Sequence, residues 1–291
     1  MFIILFLKVK TLIIGKNGLI ARKIAEKTHK KQKNQSDFLF TSSNKESLDK
    51  KTIFLDLNNP NNFDYSVIKK FSNIIMLGGI SSPDECENNP KKTKEINYYG
   101  TKFFIEKCLK LNAKVLFFST DLVYGKSKSI FNENSVVNPE CNYSFWKNNI
   151  EKIFINNNNF KVFRLSYVLS AEDKFLTYLY NCQLNNSIAE VFHPFYRNVI
   201  FIDDVVDATF NVFNSWEITN QINNICGNES ISRKDIAESI LSVEQIKVID
   251  PGEAFWKIRP KIIHVESIFL KDILKKKLTS FDETINKLKK L

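Results

Sequence analysis

Glycine is scarce in this chain, with 8 in 291 residues, and no internal repeat or long flexible linker is visible. Arginine is scarcer still, 5 against 37 lysines, so each arginine is worth locating. The cysteines, Cys86, Cys108, Cys141, Cys182 and Cys226, are odd in number and never form C-x-x-C. That argues against a disulfide framework or a zinc site and for reduced thiols in a cytoplasmic protein. His29, His193 and His264 also lack metal-ligand spacing, and no metal is expected. Long apolar runs are missing too. The opening MFIILFLKVKTLII breaks at Lys8, short of the roughly 20 residues that cross a bilayer. It has neither a basic leader nor a small-residue cleavage site. Val9–Ile14 reads as a buried strand, with Phe2–Leu7 extending or preceding it.

What is present is a 43% hydrophobic, 25% charged composition, the balance of a soluble globular protein. The net charge of +10 admits anionic partners: nucleotides, phosphorylated sugars, nucleic acid or a membrane surface. The lysines are spread along the whole chain without a nucleic-acid motif, which favours a solvated basic surface.

The first two-thirds alternate short β-rich runs with helical stretches, the pattern of a parallel sheet covered on both faces. Strands are expected at Lys10–Ile14, Asp37–Thr41, Thr52–Asp56, Asn73–Leu77, Lys114–Ser119 and Lys161–Leu165. Helices are expected to begin near Gly18, Phe63, Pro90 and Pro139. The fold class is α/β, a Rossmann-type doubly wound sheet in residues 1–165 with a smaller substrate lobe in 166–291. That lobe would return one strand to the sheet near Ile222–Cys226. The lysine-rich end reads as a solvated terminal helix.

TLIIGKNGLIARKIAEK follows the first strand and opens a helix, with Gly15, Gly18 and Ala21 spaced as G-x-x-G-x-x-A. Gly15 suits a tight turn, Gly18 lets backbone approach a pyrophosphate, and Ala21 allows close helix–sheet packing. The turn Gly15, Asn17, Gly18, Leu19 and Ile20 is the candidate nucleotide site. At the end of the second strand an acid would bond a ribose 2′-hydroxyl and repel a 2′-phosphate. Thr41, Ser42 and Ser43 stand there instead, with Lys45 nearby. The expectation is NADPH, with NAD as the alternative.

Tyr-x-x-x-Lys, the proton-handling pair of many carbonyl reductases, occurs at Tyr65/Lys69, Tyr98/Lys102, Tyr124/Lys128 and Tyr143/Lys147. Chance alone yields about one in so lysine-rich a chain, so context must choose. Tyr65 lies before the fourth strand, away from the nicotinamide end. Tyr98 brackets Gly100, and Tyr124 straddles Gly125 in a loop. Tyr143 and Lys147 share a helix face after the fifth strand, whose end delivers Ser119, Thr120 and Asp121 to the crevice where such sheets bind ligands.

Taken in order, these elements resemble the extended short-chain dehydrogenases/reductases that modify nucleotide sugars, and within them the dTDP-4-dehydrorhamnose reductases. Gly15-x-x-Gly18-x-x-Ala21 is similar to their nucleotide turn and Asp56-Leu57 to their adenine-side contact. Leu77-Gly78-Gly79 sits where their fourth strand passes the cofactor. Asn97 and Gly100-Thr101 resemble the following helix, and STDLVYG and YSFWK their Ser/Thr and Tyr/Lys elements. The similarity runs from about Lys10 to Ser170 and continues through RNVIFIDDVVDA to NICG.

The resemblance implies hydride transfer from NADPH to a nucleotide-activated 4-keto-6-deoxysugar for surface-polysaccharide synthesis. In this reading Tyr143 donates a proton, Lys147 tunes the phenol and holds the nicotinamide ribose, and Thr120 orients the carbonyl. A free phenol titrates near ~10, so the neighbouring positive charge matters. Asp121 and Arg197 are further candidates for the substrate, Arg197 for its diphosphate. The related dehydratases carry an acid after the STD triplet, where this chain has Leu122, so dehydration is disfavoured. An epimerase using the same pair, and a nucleotide-binding regulatory subunit without turnover, remain as alternatives. A homodimer is possible.

Overall fold

The computed structural model describes residues 10–30, 37–70, 73–126 and 129–289. The reading of residues 1–8 and the lysine of Tyr124/Lys128 lie outside them. The central sheet is built from β1 (Thr11–Ile14), β2 (Phe38–Ser42), β3 (Thr52–Phe54), β4 (Asn73–Met76), β5 (Lys114–Thr120), β6 (Phe160–Leu165) and a returning strand, Ile222–Ile225. Its order is β3-β2-β1-β4-β5-β6 followed by the returning strand. The pairings of β1 with β2 and β4, of β2 with β3 and of β4 with β5 are parallel. The central strands are apolar on both faces: all four residues of TLII and of NIIM are buried, as interior parallel strands must be. Every expected strand of the sheet is present within a residue or two of its expected ends.

By their contacts the residues form two compact units. One ends at Phe118 and takes in Asn149–Val162; the other comprises Ser119–Asn148 and Phe163–Leu291. In the first unit, α1 (Leu19–Lys30) follows β1 directly. The helix expected near Phe63 is instead a pair of 3-10 turns, Pro60–Asn62 and Tyr65–Lys70. Asn59, Asp64 and the prolyl ring at the first position favour tight turns over continued helix. The region opened by Pro90 is broken: α2 (Pro83–Asn88) and α3 (Pro90–Lys94) lead into a π-helical turn, Glu95–Gly100, and then α4 (Thr101–Lys110). Such π turns recur at functional positions. Here it brings Gly100 against the loop after β3, where an added Cβ would sit 1.7 Å from the Leu57 carbonyl oxygen.

In the second unit, α5 (Asn142–Phe154, its later residues belonging to the first unit) begins three residues beyond the expected Pro139. The delay has a cause. Asn138 N–H donates to the Val123 carbonyl at 2.9 Å, and the Asn138 carbonyl packs so closely on Gly125 that a Cβ there would meet it at 2.2 Å. This extended strap is released only at Cys141, where the Phe145 N–H bonds back to its carbonyl at 2.9 Å. Next come α6 (Lys174–Leu184) and α7 (Ile202–Asn214). The lysine-rich end is not one solvated helix. It forms Leu270–Leu274 and Phe281–Leu288, separated by a left-handed Lys275 at φ 56°, and it buries Thr284, Ile285 and Leu288. No described helix is long and apolar enough to cross a membrane.

Candidate active site

The strand order reverses between β1 and β4, and there the first unit holds its glycines. Gly15 has φ +95°, and a Cβ on it would lie 3.0 Å from the Gly78 Cα. On Gly78 a Cβ would strike Ile14 at 2.9 Å. The two strand ends can therefore run back to back only without side chains, leaving a cradle at the switch point where open α/β sheets bind ligands. Gly18 differs: its N–H closes the turn onto the Gly15 carbonyl at 3.1 Å, yet a Cβ would meet only that carbonyl oxygen, at 3.5 Å. Gly18 and Asn17 are exposed, with Leu19 and Ile20 opening α1. Its N-terminal amides carry the partial positive charge that suits a phosphate.

The end of β2 is arranged differently from the hydroxyl patch its sequence suggests. Thr41 and Ser42 are buried. Thr41 Oγ1 accepts from the Gly15 N–H at 3.3 Å, and Ser42 Oγ accepts from the Asn44 N–H at 3.1 Å. Only Ser43 of the three is exposed, as is Lys45. Asp56 Oδ1 caps its own turn by accepting from the Asn58 N–H at 2.8 Å, and Leu57 is buried beside Gly78. At the end of β4, Gly79 has φ +133° and lies against the Asn97 side-chain oxygen. Asn97, buried in the π turn, accepts from the Ile80 N–H at 2.7 Å and donates to its carbonyl at 2.8 Å. That amide fixes the Gly78–Ile80 loop.

In the second unit, Tyr143 and Lys147 lie one turn apart on α5, with the Lys147 ammonium 5.9 Å from the centre of the Tyr143 ring. Lys147 is only 8% exposed, unusual for a lysine. The other three tyrosines are engaged elsewhere. Tyr65 donates to the Pro60 carbonyl at 2.9 Å, and burial pushes its phenol upward. Tyr98 packs on Tyr99 with ring centres 5.0 Å apart. The Tyr124 hydroxyl is held among Arg164 Nη1, Asn224 Oδ1 and the Asn132 carbonyl at 3.0, 2.8 and 3.0 Å.

Thr120 ends β5 and caps the 3-10 turn Asp121–Tyr124, its Oγ1 accepting from the Leu122 N–H at 3.3 Å and reaching Asp121 Oδ1 at 3.4 Å. Asp121 is buried, and its other oxygen accepts from Ser166 Oγ at 2.9 Å. Burial raises its carboxyl above the usual range, opposed by the positive charge of Arg197. Leu122 packs on the apolar cluster of Val123, Tyr124, Phe131, Cys226, Ile263 and Val265.

Arg197 is buried, donating to the Tyr196 and Pro260 carbonyls at 2.6 and 2.8 Å. Its guanidinium is pushed down to about 10, chiefly by burial, against the pull of Asp121. It is not alone. The Arg197 and Arg233 guanidiniums stand 4.4 and 4.8 Å from the centre of one ring, Phe195. Arg259 lies 4.7 Å from Phe255, itself edge-on to Phe195 at 5.7 Å. Three of the five arginines thus converge on one aromatic cluster. Arg233 and Arg259 went unread in the sequence; the one available signal was the rarity of arginine itself.

This sheet order, with a glycine turn at the reversal, a Thr at the end of β5 and a Tyr/Lys pair on the next helix, defines the extended short-chain dehydrogenase/reductase class of oxidoreductases. The chain belongs to the RmlD substrate binding domain family, that of the dTDP-4-dehydrorhamnose reductases, whose sequence profile matches residues 9–261. No curated protein sequence matches it. Among solved structures, a hypothetical dTDP-4-dehydrorhamnose reductase from Sulfolobus tokodaii is 20% identical with a TM-score of 0.79, over 95% of this chain and 99% of that one. A UDP-glucose 4-epimerase from Thermotoga maritima, solved with UDP-glucose, is 16% identical with a TM-score of 0.76, over 97% and 99%. An L-threonine 3-dehydrogenase from Trypanosoma brucei is 17% identical with a TM-score of 0.79, over 96% and 95%. At these identities the shared property is the fold.

Proposed function

We propose that the protein reduces the 4-keto group of a nucleotide-activated 6-deoxysugar with NADPH. The observation that carries this reading is the Tyr143–Lys147 pair: a buried lysine one helical turn from the tyrosine, with its ammonium 5.9 Å from the ring centre. The cradle at Gly15 and Gly78, with the outward-facing Gly18, fits a dinucleotide pyrophosphate at the start of α1. Bound there, a reduced nicotinamide dinucleotide supplies the hydride.

The remaining work falls to this chain's own side chains. Thr120 donates to the ketone oxygen and fixes its orientation. Tyr143 passes its proton to that oxygen as negative charge develops, and Lys147 stabilises the phenolate left behind. Arg197, with Arg233 and Arg259, holds the diphosphate of the substrate, so binding energy far from the ketone aligns it for reaction. Leu122, packed into an apolar cluster, offers no proton for elimination of water.

A panel of nucleotide-linked 4-keto-6-deoxysugars with NADPH tests the reading. One or more should oxidise the cofactor stoichiometrically and give the 4-hydroxy sugar, while the free sugar reacts far more slowly. If none does and UDP- or GDP-sugars epimerise without net cofactor turnover, the protein is an epimerase. Tight cofactor binding with no turnover of either kind would make it a regulatory subunit.

A further inference from the structure

The Thr120 hydroxyl has one hydrogen to give, and the chain itself already claims it. Oγ1 accepts from the Leu122 N–H at 3.3 Å and donates to Asp121 Oδ1 at 3.4 Å. A ketone oxygen can only accept, so Thr120 cannot serve it while an ionised Asp121 holds that hydrogen. A neutral Asp121 reverses the bond. Its carboxyl then donates to Oγ1, and the Thr120 hydrogen is released. The charge on Asp121 therefore decides which way Thr120 donates.

Asp121 is placed where that charge can change. It is buried, and its Oδ2 accepts from Ser166 Oγ at 2.9 Å. Burial raises its carboxyl, while the charge of Arg197 and the Ser166, Thr120 and Leu122 donors pull it back down. Arg197 comes from the strand Tyr196–Asn198. The other titratable group facing Asp121 is Cys226, beyond the returning strand, whose thiol burial pushes upward and keeps neutral. The guanidinium is thus the charge that opposes burial. It is also the group assigned to the substrate diphosphate. Its bonds to the Tyr196 and Pro260 carbonyls use only part of its N–H set, leaving donors for phosphate oxygens. A diphosphate arriving there offsets the guanidinium and adds negative charge of its own. Both changes favour the neutral form of a buried carboxyl.

We propose that Asp121 is a positioning residue linking the two ends of the substrate: it takes up a proton from solvent when a nucleotide diphosphate binds at Arg197, and in its neutral form turns the Thr120 hydrogen toward the ketone. This rests on the substrate reading above. The proton returns to solvent when the nucleotide leaves, so none is consumed by the link. The proton delivered to the product oxygen is still that of Tyr143. The carbonyl site becomes competent only with the nucleotide half in place, which gives the slow reaction of a free sugar a cause besides lost affinity.

The test is calorimetric titration of the purified protein with dTDP-glucose and UDP-glucose at neutral pH, in buffers of contrasting ionisation enthalpy. Neither diphosphate, esterified at both ends, titrates in that range, so any proton uptake belongs to the protein. Wild type should take up about one proton per nucleotide sugar bound. Asp121→Asn, which cannot ionise there, should take up none. Infrared difference spectra of the wild type should show a protonated carboxyl band appearing with ligand, which decides the matter if Asp121→Asn fails to fold. For the Thr120 half, Asp121→Asn keeps an amide that donates to Oγ1. It should turn over a keto sugar nucleotide about tenfold faster than Asp121→Ala, the scale of one hydrogen bond. Wild-type binding without proton uptake, uptake that survives in Asp121→Asn, or equal turnover of the two variants would overturn the proposal while the substrate reading stands. If the wild type binds neither nucleotide sugar, the substrate reading fails and takes the proposal with it.

Discussion

The two units build their candidate sites from different materials. The first uses backbone: Gly15, Gly18, Gly78 and Gly79 make a turn and a cradle whose recognition groups are main-chain amides and missing Cβ atoms. The second uses side chains brought from distant segments, with Arg197, Arg233 and Arg259 meeting around Phe195 and Phe255. The turn that opens the backbone site, Gly15 to Gly18, is contiguous and leaves a fixed spacing in the sequence, and Gly78 and Gly79 complete its cradle from the end of β4. A side-chain site needs only that its parts converge after folding.

That contrast can be broken at the backbone end first. Gly100→Ala places a Cβ 1.7 Å from the Leu57 carbonyl oxygen, and main chain cannot yield as a side-chain tip can. A loss of about 3 kcal/mol or more is expected, read as a lowered urea midpoint. Gly18→Ala, with no Cβ neighbour closer than 3.5 Å, should keep the wild-type midpoint and lose dinucleotide affinity. Equal destabilisation of both variants would deny that one glycine serves packing and the other a ligand.

At the side-chain end, Tyr143→Phe should lower turnover by about 10²–10⁴ while midpoint and cofactor affinity stay at wild-type values, since the ring remains and only the hydroxyl goes. Steady-state kinetics beside a cofactor titration would show it. Next in size is Arg233→Met. Loss of one charge-assisted contact should weaken binding of a nucleoside diphosphate about 10- to 100-fold, raising KM more than it lowers kcat. Unaltered nucleoside diphosphate binding, measured calorimetrically, would remove Arg233 from the substrate site.

The smallest effect concerns Asp121. Burial raises its carboxyl above 3.8, so the folded protein holds this proton more tightly than the unfolded chain does. The group therefore favours folding below 3.8 and costs stability once pH passes its higher folded value. Asp121→Asn removes that dependence, so its melting temperature should gain on the wild type as pH rises above 3.8. A difference that stays constant with pH, in parallel melts from pH 3 to 7, would mean the carboxyl is not perturbed in the folded state.

Most of the sheet was legible because interior parallel strands must be apolar on both faces, and TLII, NIIM and KVLFFST announce themselves on that ground alone. The candidate pair Tyr143/Lys147 was picked out by its order after STDLVYG and does share one helix, although that helix starts later than Pro139 suggests. The strap that delays it depends on Val123, Gly125 and Asn138, a tertiary contact with no local mark. The inward turn of Thr41 and Ser42 was equally hidden, because a strand end tells which residues are present but not which hydroxyls the next turn engages. Arg233 and Arg259 were invisible for the reason the second unit illustrates: nothing in their neighbourhoods predicts the Phe195 and Phe255 cluster on which they converge.

The central claim, that Tyr143 and Lys147 serve net reduction of a sugar ketone, is tested most directly by tracing the hydride. Wild-type protein would be given NADPH deuterated at the transferring position of C4 and the keto sugar nucleotide selected by the panel. Mass spectrometry should find one deuterium on the new carbinol carbon of the product, and no labelled product with Tyr143→Phe. A reaction whose sugar product carries no label, or labelled product formed equally well by Tyr143→Phe, would contradict it.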